Sequence, residues 1–137
     1  MKPRPRAATR GQWREHIASL KRRAASGELR ATTDLGLTLL EGIQDQRGAV
    51  LVRRNSKAAV GWLREAANRG ERVAAGTLGY AYDRGLGVPR RRNQAILWYR
   101  KAAAWGNSTA ASNLATVYLD AGKSRLAFQW WSTAAKM

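Results

Sequence analysis

The most reactive recognition groups in this sequence are guanidiniums. Three basic sets recur at comparable places: Arg53 with Arg54, Arg90 with Arg91 and Arg92, and Lys123 with Arg125. An arginine fork donates paired hydrogen bonds to a phosphate or a carboxylate, so a row of such groups suits a nucleic-acid backbone or an acidic protein surface. Lys2, Arg4, Arg6 and Arg10 would extend that grip through a flexible basic arm at residues 1–11. The plain alternative is that loops are charged because they are wet.

Catalytic chemistry has no comparable support. His16 is the only histidine, and no hydroxyl or carboxylate around it forms a nucleophile with its base. On a basic helix it reads as a solvated side chain. The nine acidic residues are scattered, with no pair at metal-ligand spacing and no calcium-type loop. There is no cysteine, which excludes disulfides and thiolate metal sites. The string GLGVPR at residues 85–90 lacks the Gly-Lys-Ser/Thr ending of a phosphate loop and follows no strand. The reading is therefore of a non-enzymatic protein with no catalytic residue, no metal and no cofactor.

The elements that must carry these side chains emerge from an internal repeat. LGYAYDRG at residues 78–85 recurs as LATVYLDAG at 114–122 and as LGLTLLEG at 35–42. Leu35, Leu78 and Leu114 each follow a glycine, Gly27, Gly70 and Gly106, at the same distance. A second block repeats as well: Ala59, Trp62, Leu63 and Ala66 correspond to Ala95, Trp98, Tyr99 and Ala102, and then to Ala127, Trp130, Trp131 and Ala134. Apolar positions three and four residues apart imply two amphipathic helices per unit. Gly85, Gly87 and Pro89 punctuate the end of one helix, and Asn93 is expected to cap the next. Trp62, Trp98 and Trp130 hold equivalent positions, so they read as core and not as a base-stacking set. Each pair is too small to bury its apolar face alone and needs its neighbours.

The central unit, A-x-x-x-L-G-Y-A-Y-D-R-G-L-G-V followed by Q-A-I-L-W-Y-R-K-A-A-A-W-G, resembles the Sel1-like repeat. The resemblance implies an all-α fold, a short right-handed α-solenoid of about three helix-turn-helix repeats. The expected divisions are a capping helix over 12–26 and repeats over 27–70, 71–106 and 107–137. The first copy carries additional residues, expected as a longer loop around Asp45 to Asn55, and the third lacks the Gly-x-Gly-Val turn. Phe128, Trp130 and Trp131 either pack inward or make a contact surface, for a partner or for self-association.

A stacked solenoid of this kind offers a concave face lined by the first helices. Positions left free by the core set form four columns there: Asp34, Thr77 and Asn113; Leu37, Tyr80 and Thr116; Thr38, Ala81 and Val117; Glu41, Arg84 and Asp120. Their mixture of polar groups with Leu37, Tyr80 and Val117 suits a protein or peptide better than a polyanion. The resemblance points the same way, since Sel1-like proteins are generally adaptors that assemble other proteins, including in bacterial toxin-immunity systems.

The charge adds a long-range field. Twenty-five basic residues against nine acidic ones give +16, and the excess is spread along the chain. That field attracts anionic partners and accelerates encounter in a salt-dependent way. No apolar run is long enough to suggest a membrane span, and the N-terminal segment lacks the apolar stretch of a signal peptide. The combined expectation is a cytoplasmic adaptor or inhibitor of an acidic protein, an immunity or antitoxin protein being one form of it. The alternative is a nucleic-acid- or ribosome-associated protein that binds through the basic edge.

Overall fold

The computed structural model describes residues 8–137. Seven helices and one small hairpin follow in chain order: α1 (Arg10–Ala25), α2 (Leu29–Glu41), β1 (Ile43–Gln44), β2 (Val50–Val52), α3 (Ser56–Asn68), α4 (Arg72–Arg84), α5 (Arg92–Ala104), α6 (Ser108–Asp120) and α7 (Ser124–Ala135). The closest helix pairs are α2 with α3, α4 with α5, and α6 with α7. Consecutive pairs are joined by α3 on α4 and α5 on α6, and α1 covers α2. The result is an α-solenoid in which α2, α4 and α6 are the first helices of three units.

Small residues at fixed places let these helices approach. Leu35, Leu78 and Leu114 are completely buried, as are Ala59, Ala95 and Ala127. A Cβ on Gly36 would lie 2.7 Å from Leu63 Cγ, and one on Gly79 would lie 2.7 Å from Tyr99 Cδ1. Glycine at these positions therefore opens the space that the second-helix side chain fills. Burial, and after it the charge of Asp83, holds the Tyr99 phenol above the usual tyrosine range, and its hydroxyl donates to Asp83 Oδ2 at 3.4 Å.

The first helices of the second and third units are also tied to the first helix before them. Glu71 caps α4 by accepting from the Val73 and Ala74 backbone N–H groups at 3.0 and 2.7 Å. Its carboxylate accepts in addition from the Thr33 hydroxyl of α2 at 2.9 Å. Asn107 repeats the arrangement one unit on, accepting from Ala110 N and donating to the Arg72 carbonyl of α4 at 3.1 Å. One side chain thus satisfies a helix end and sets the spacing between neighbouring first helices.

Several expectations are corrected. The extra residues of the first unit form the β1–β2 hairpin, with Ile43 opposite Val52. Asp45 Oδ1 closes its turn by accepting from Arg47 N and Ala49 N at 2.8 and 2.9 Å, and β2 lies against α1. Local side-chain capping by an aspartate favours such a turn. Arg10, expected in the arm over residues 1–11, lies in α1, which starts there behind a capping box of Thr9 and Gln12. Arg10 Nε donates to the Val50 carbonyl at 3.2 Å. Lys2, Arg4 and Arg6 lie outside the described residues. Asn93 does not cap α5; Arg91 holds that position and offers no side-chain cap.

Candidate functional site

The first helices line an open groove of about 590 Å³. Its floor is largely apolar, made by Leu37 and Leu40 of α2 and by Val73 and Tyr80 of α4. Polar groups stand along it: Glu41 on α2, Thr77 on α4 and Asn113 on α6. The groove continues between the starts of α2 and α4, where Arg30, Asp34 and Arg72 line an adjoining hollow that shares Leu37 and Val73. Tyr80 is 40% exposed, and the Arg84 guanidinium lies 5.6 Å from its ring centroid. That geometry sets the cation against the π-face of the ring.

The four expected columns divide. Asp34, Thr77 and Asn113 are half-buried along the groove, and Leu37 and Tyr80 project into it, while Thr116 is exposed one unit on. Glu41, Arg84 and Asp120 are exposed at the helix ends. The column of Thr38, Ala81 and Val117 is buried and belongs to the core, not to the surface. Each of these residues lies three positions after the repeat leucine, which puts it on the same side of the helix, facing the second helix. Thr38 spends its hydroxyl on the Asp34 carbonyl at 2.7 Å.

All seven residues of the basic edge are exposed. Among the described residues the one ion pair is Arg23 with Glu28, where the Arg23 guanidinium hydrogen bond holds the Glu28 carboxyl below its ordinary range and Glu28 in turn raises Arg23. Arg53, Arg54, Arg90, Arg91, Arg92, Lys123 and Arg125 therefore have no carboxylate partner among the described residues. The turn after α4 packs its Gly87 backbone against the Ser56 carbonyl at the start of α3. Lys123 ends the short turn after α6 and Arg125 lies in the first turn of α7. Arg54 lines the groove as well, so edge and groove meet at that side chain.

Other side chains fall where the repeat requires. Trp98, Tyr82 and Tyr118 are buried, and Trp62 and Trp130 are half-buried against the core. His16 is half-buried, with its ring edge-on to Trp13 at 5.5 Å. Phe128 and Trp131 do not pack inward. Among the described residues no three His, Cys, Asp or Glu side chains gather as metal ligands, and no helix is long and apolar enough to cross a membrane. Sequence reasoning missed Val73 and Leu40 in the groove and the tie made by Asn107. The signal for Asn107 was its position directly after Gly106, matching Glu71 after Gly70.

The model of the Sel1 repeat matches residues 30–71, 74–107 and 108–137. Among solved structures, a protective antigen of uropathogenic Escherichia coli with an SLR fold is 33% identical, with 88% of this chain and 25% of that chain covered and a TM-score of 0.75. A Sel1 repeat protein from Oxalobacter formigenes is 26% identical, with 88% and 47% covered and a TM-score of 0.69. Helicobacter pylori cysteine rich protein B shares the fold at 20% identity, 71% and 68% coverage and a TM-score of 0.60. The chain thus spans about a quarter of the first of these and about half of the second. No curated protein matches it. Three tandem matches, the α2–α7 helix pairs and the glycine-marked turns agree: the chain belongs to the Sel1 repeat family.

Proposed function

We propose that the chain is a non-enzymatic binding scaffold that holds a segment of an acidic protein in the groove across α2, α4 and α6. The observation that carries this reading is the groove itself, an apolar floor of Leu37, Leu40, Val73 and Tyr80 edged by hydrogen-bonding groups. Apolar anchors with adaptable polar neighbours are the usual composition of a protein-recognition surface. Arg54 and Arg84 stand at its margin, and the +16 field steers acidic partners toward it. Sel1 repeats generally mediate protein–protein interactions, which favours the same class of ligand. Neutralising an acidic toxin, as an immunity or antitoxin protein does, would be one form of such binding.

The competing reading, binding of nucleic acid along the unpaired basic edge, makes opposite demands. Chain captured from a native lysate after nuclease treatment should retain a stoichiometric protein, and replacing Leu37 and Tyr80 with Ala should weaken that complex by more than about 1 kcal/mol per anchor. Replacing Arg90, Arg91 and Arg92 with Gln should chiefly slow association, since charges at the rim act on encounter. If instead the companions disappear with the nucleic acid, and the arginine variant alone reduces affinity and flattens its salt dependence, the basic edge is the site and the groove reading fails.

A further inference from the structure

The positive charge is divided unevenly between the two sides of the solenoid. The helices that line the groove carry Arg30, Arg72 and Arg84 against Asp34, Glu41, Asp83 and Asp120, whereas α1, α3, α5 and α7 carry eleven basic residues against two acidic ones, Glu15 and Glu65. Helix α5 is the extreme case. From Arg84 to Leu119 the chain has no acidic residue, and the outer side of α5 exposes Leu97, Arg100, Lys101 and Ala104, with Trp105 at its C-cap. Leu97 is 43% exposed and Trp105 40%. Their helical spacing places all five on one stripe. The corresponding positions of α3 are Gly61, Arg64, Glu65, Asn68 and Arg69, so the repeat itself does not call for an apolar group there.

We propose that the outer side of α5 is a docking surface for an anionic phospholipid membrane. Arg100 and Lys101 stand among the headgroups, and Leu97 and Trp105 reach the boundary with the acyl chains. Leucine and tryptophan interleaved with cations on one exposed helix side is the composition of an interfacial helix. The Lys101 ammonium lies 4.7 Å from the Trp98 ring centroid, so its stem is laid along the helix while its charge stays at the surface, as a snorkelling cation requires. Charge complementarity favours a membrane over other anionic partners. A nucleic-acid strand offers Leu97 no apolar surface to cover, and an acidic protein seated on this stripe would use two cations of the many that the outer helices carry. A planar anionic surface acts on that one-sided field as a whole.

Two apolar side chains insert shallowly, so neither they nor the charges suffice alone. Docking is therefore reversible, depends on anionic lipid and weakens as salt screens the headgroups. None of the stripe residues lines the groove, whose floor is made by α2 and α4. A chain held on a membrane through α5 keeps that groove open to a protein segment, and the docking does not depend on what the groove binds.

Co-sedimentation of the 137-residue chain with vesicles of phosphatidylcholine alone, and of phosphatidylcholine mixed with phosphatidylserine, tests this. Binding to the mixed vesicles only is expected, and it should fall as salt is raised. Arg100→Gln combined with Lys101→Gln should weaken it about tenfold or more. Arg30→Gln combined with Arg47→Gln removes equal charge elsewhere and should weaken it far less. Trp105→Ala should weaken it about fivefold with the helices retained by circular dichroism, and Leu97→Gln is the second variant should Trp105→Ala lose its fold. Replacing Leu37 and Tyr80 with Ala, which alters the groove, should leave vesicle binding unchanged, so that the two surfaces are judged separately. The proposal is overturned if phosphatidylserine vesicles are not bound at low salt. It is overturned equally if both charge pairs cost the same while Trp105→Ala and Leu97→Gln cost nothing, since general charge then explains the binding. Tighter binding to a polyuridine strand through the same four side chains would assign the stripe to nucleic acid instead.

Discussion

Gly87 shows how tightly single positions fix this solenoid. Its φ is +70°, a left-handed conformation that costs a side-chain-bearing residue roughly 1–2 kcal/mol. A Cβ there would also run into the Ser56 carbonyl and the Lys57 nitrogen, backbone atoms that cannot turn aside. Gly87→Ala is therefore expected to lower stability by more than about 2 kcal/mol in urea unfolding. Gly61, on the exposed side of α3, has nothing within 4 Å of the corresponding point, so Gly61→Ala should gain roughly 0.5–1 kcal/mol from helix propensity. Equal effects of the two substitutions would contradict the close approach of the turn to α3. The same contrast recurs within the repeat. Gly36 and Gly79 make room for Leu63 and Tyr99, whereas Ala115 stands at the matching place in the third unit and Trp131 remains partly outside. One methyl group thus favours an aromatic face at that end of the molecule.

At the scale of helices, the caps carry more than their own turns. Glu71 satisfies two backbone donors of α4 and one hydroxyl of α2, so Glu71→Ala removes a cap and an interhelix tie together. A loss of about 1–3 kcal/mol is expected in thermal denaturation, with part of it recovered in Glu71→Gln, which keeps an accepting oxygen. If Glu71→Ala costs no more than Glu65→Ala, an exposed position on α3, the tie contributes nothing to stability. The helices themselves were legible in the sequence because Leu35, Leu78 and Leu114 repeat with their glycines, and periodic burial leaves a periodic pattern. The hairpin was not, since Ile43–Gln44 and Val50–Val52 are too short to show alternation and depend on α1 for cover. The groove was legible in Leu37, Tyr80 and Thr77 but not in the column of Thr38, Ala81 and Val117. Small and hydroxylated residues are compatible with either side of a helix, and only the approach of α3, α5 and α7 decides it. Asn93 misled for a similar reason: the turn from Gly85 reaches Arg91 and enters the helix before the better capping residue.

Across the whole molecule, stability in a stack of repeats is close to a sum over neighbours, so a unit with one neighbour opens more readily than a unit with two. Helix α2 buries eight residues, α4 seven and α3 and α5 five each, whereas Ala127 is the single buried residue of α7. Helix α1 buries three and has β2 laid against it. Amide hydrogen exchange in dilute solution is therefore expected to be slowest in α2 and α4 and fastest in α7, with α1 between them. Equal protection in all seven helices would mean that the chain opens only as a whole and that the aromatic end is not weakly held. A partner bound in the groove should protect α2, α4 and α6 first and leave α7 exchanging as before.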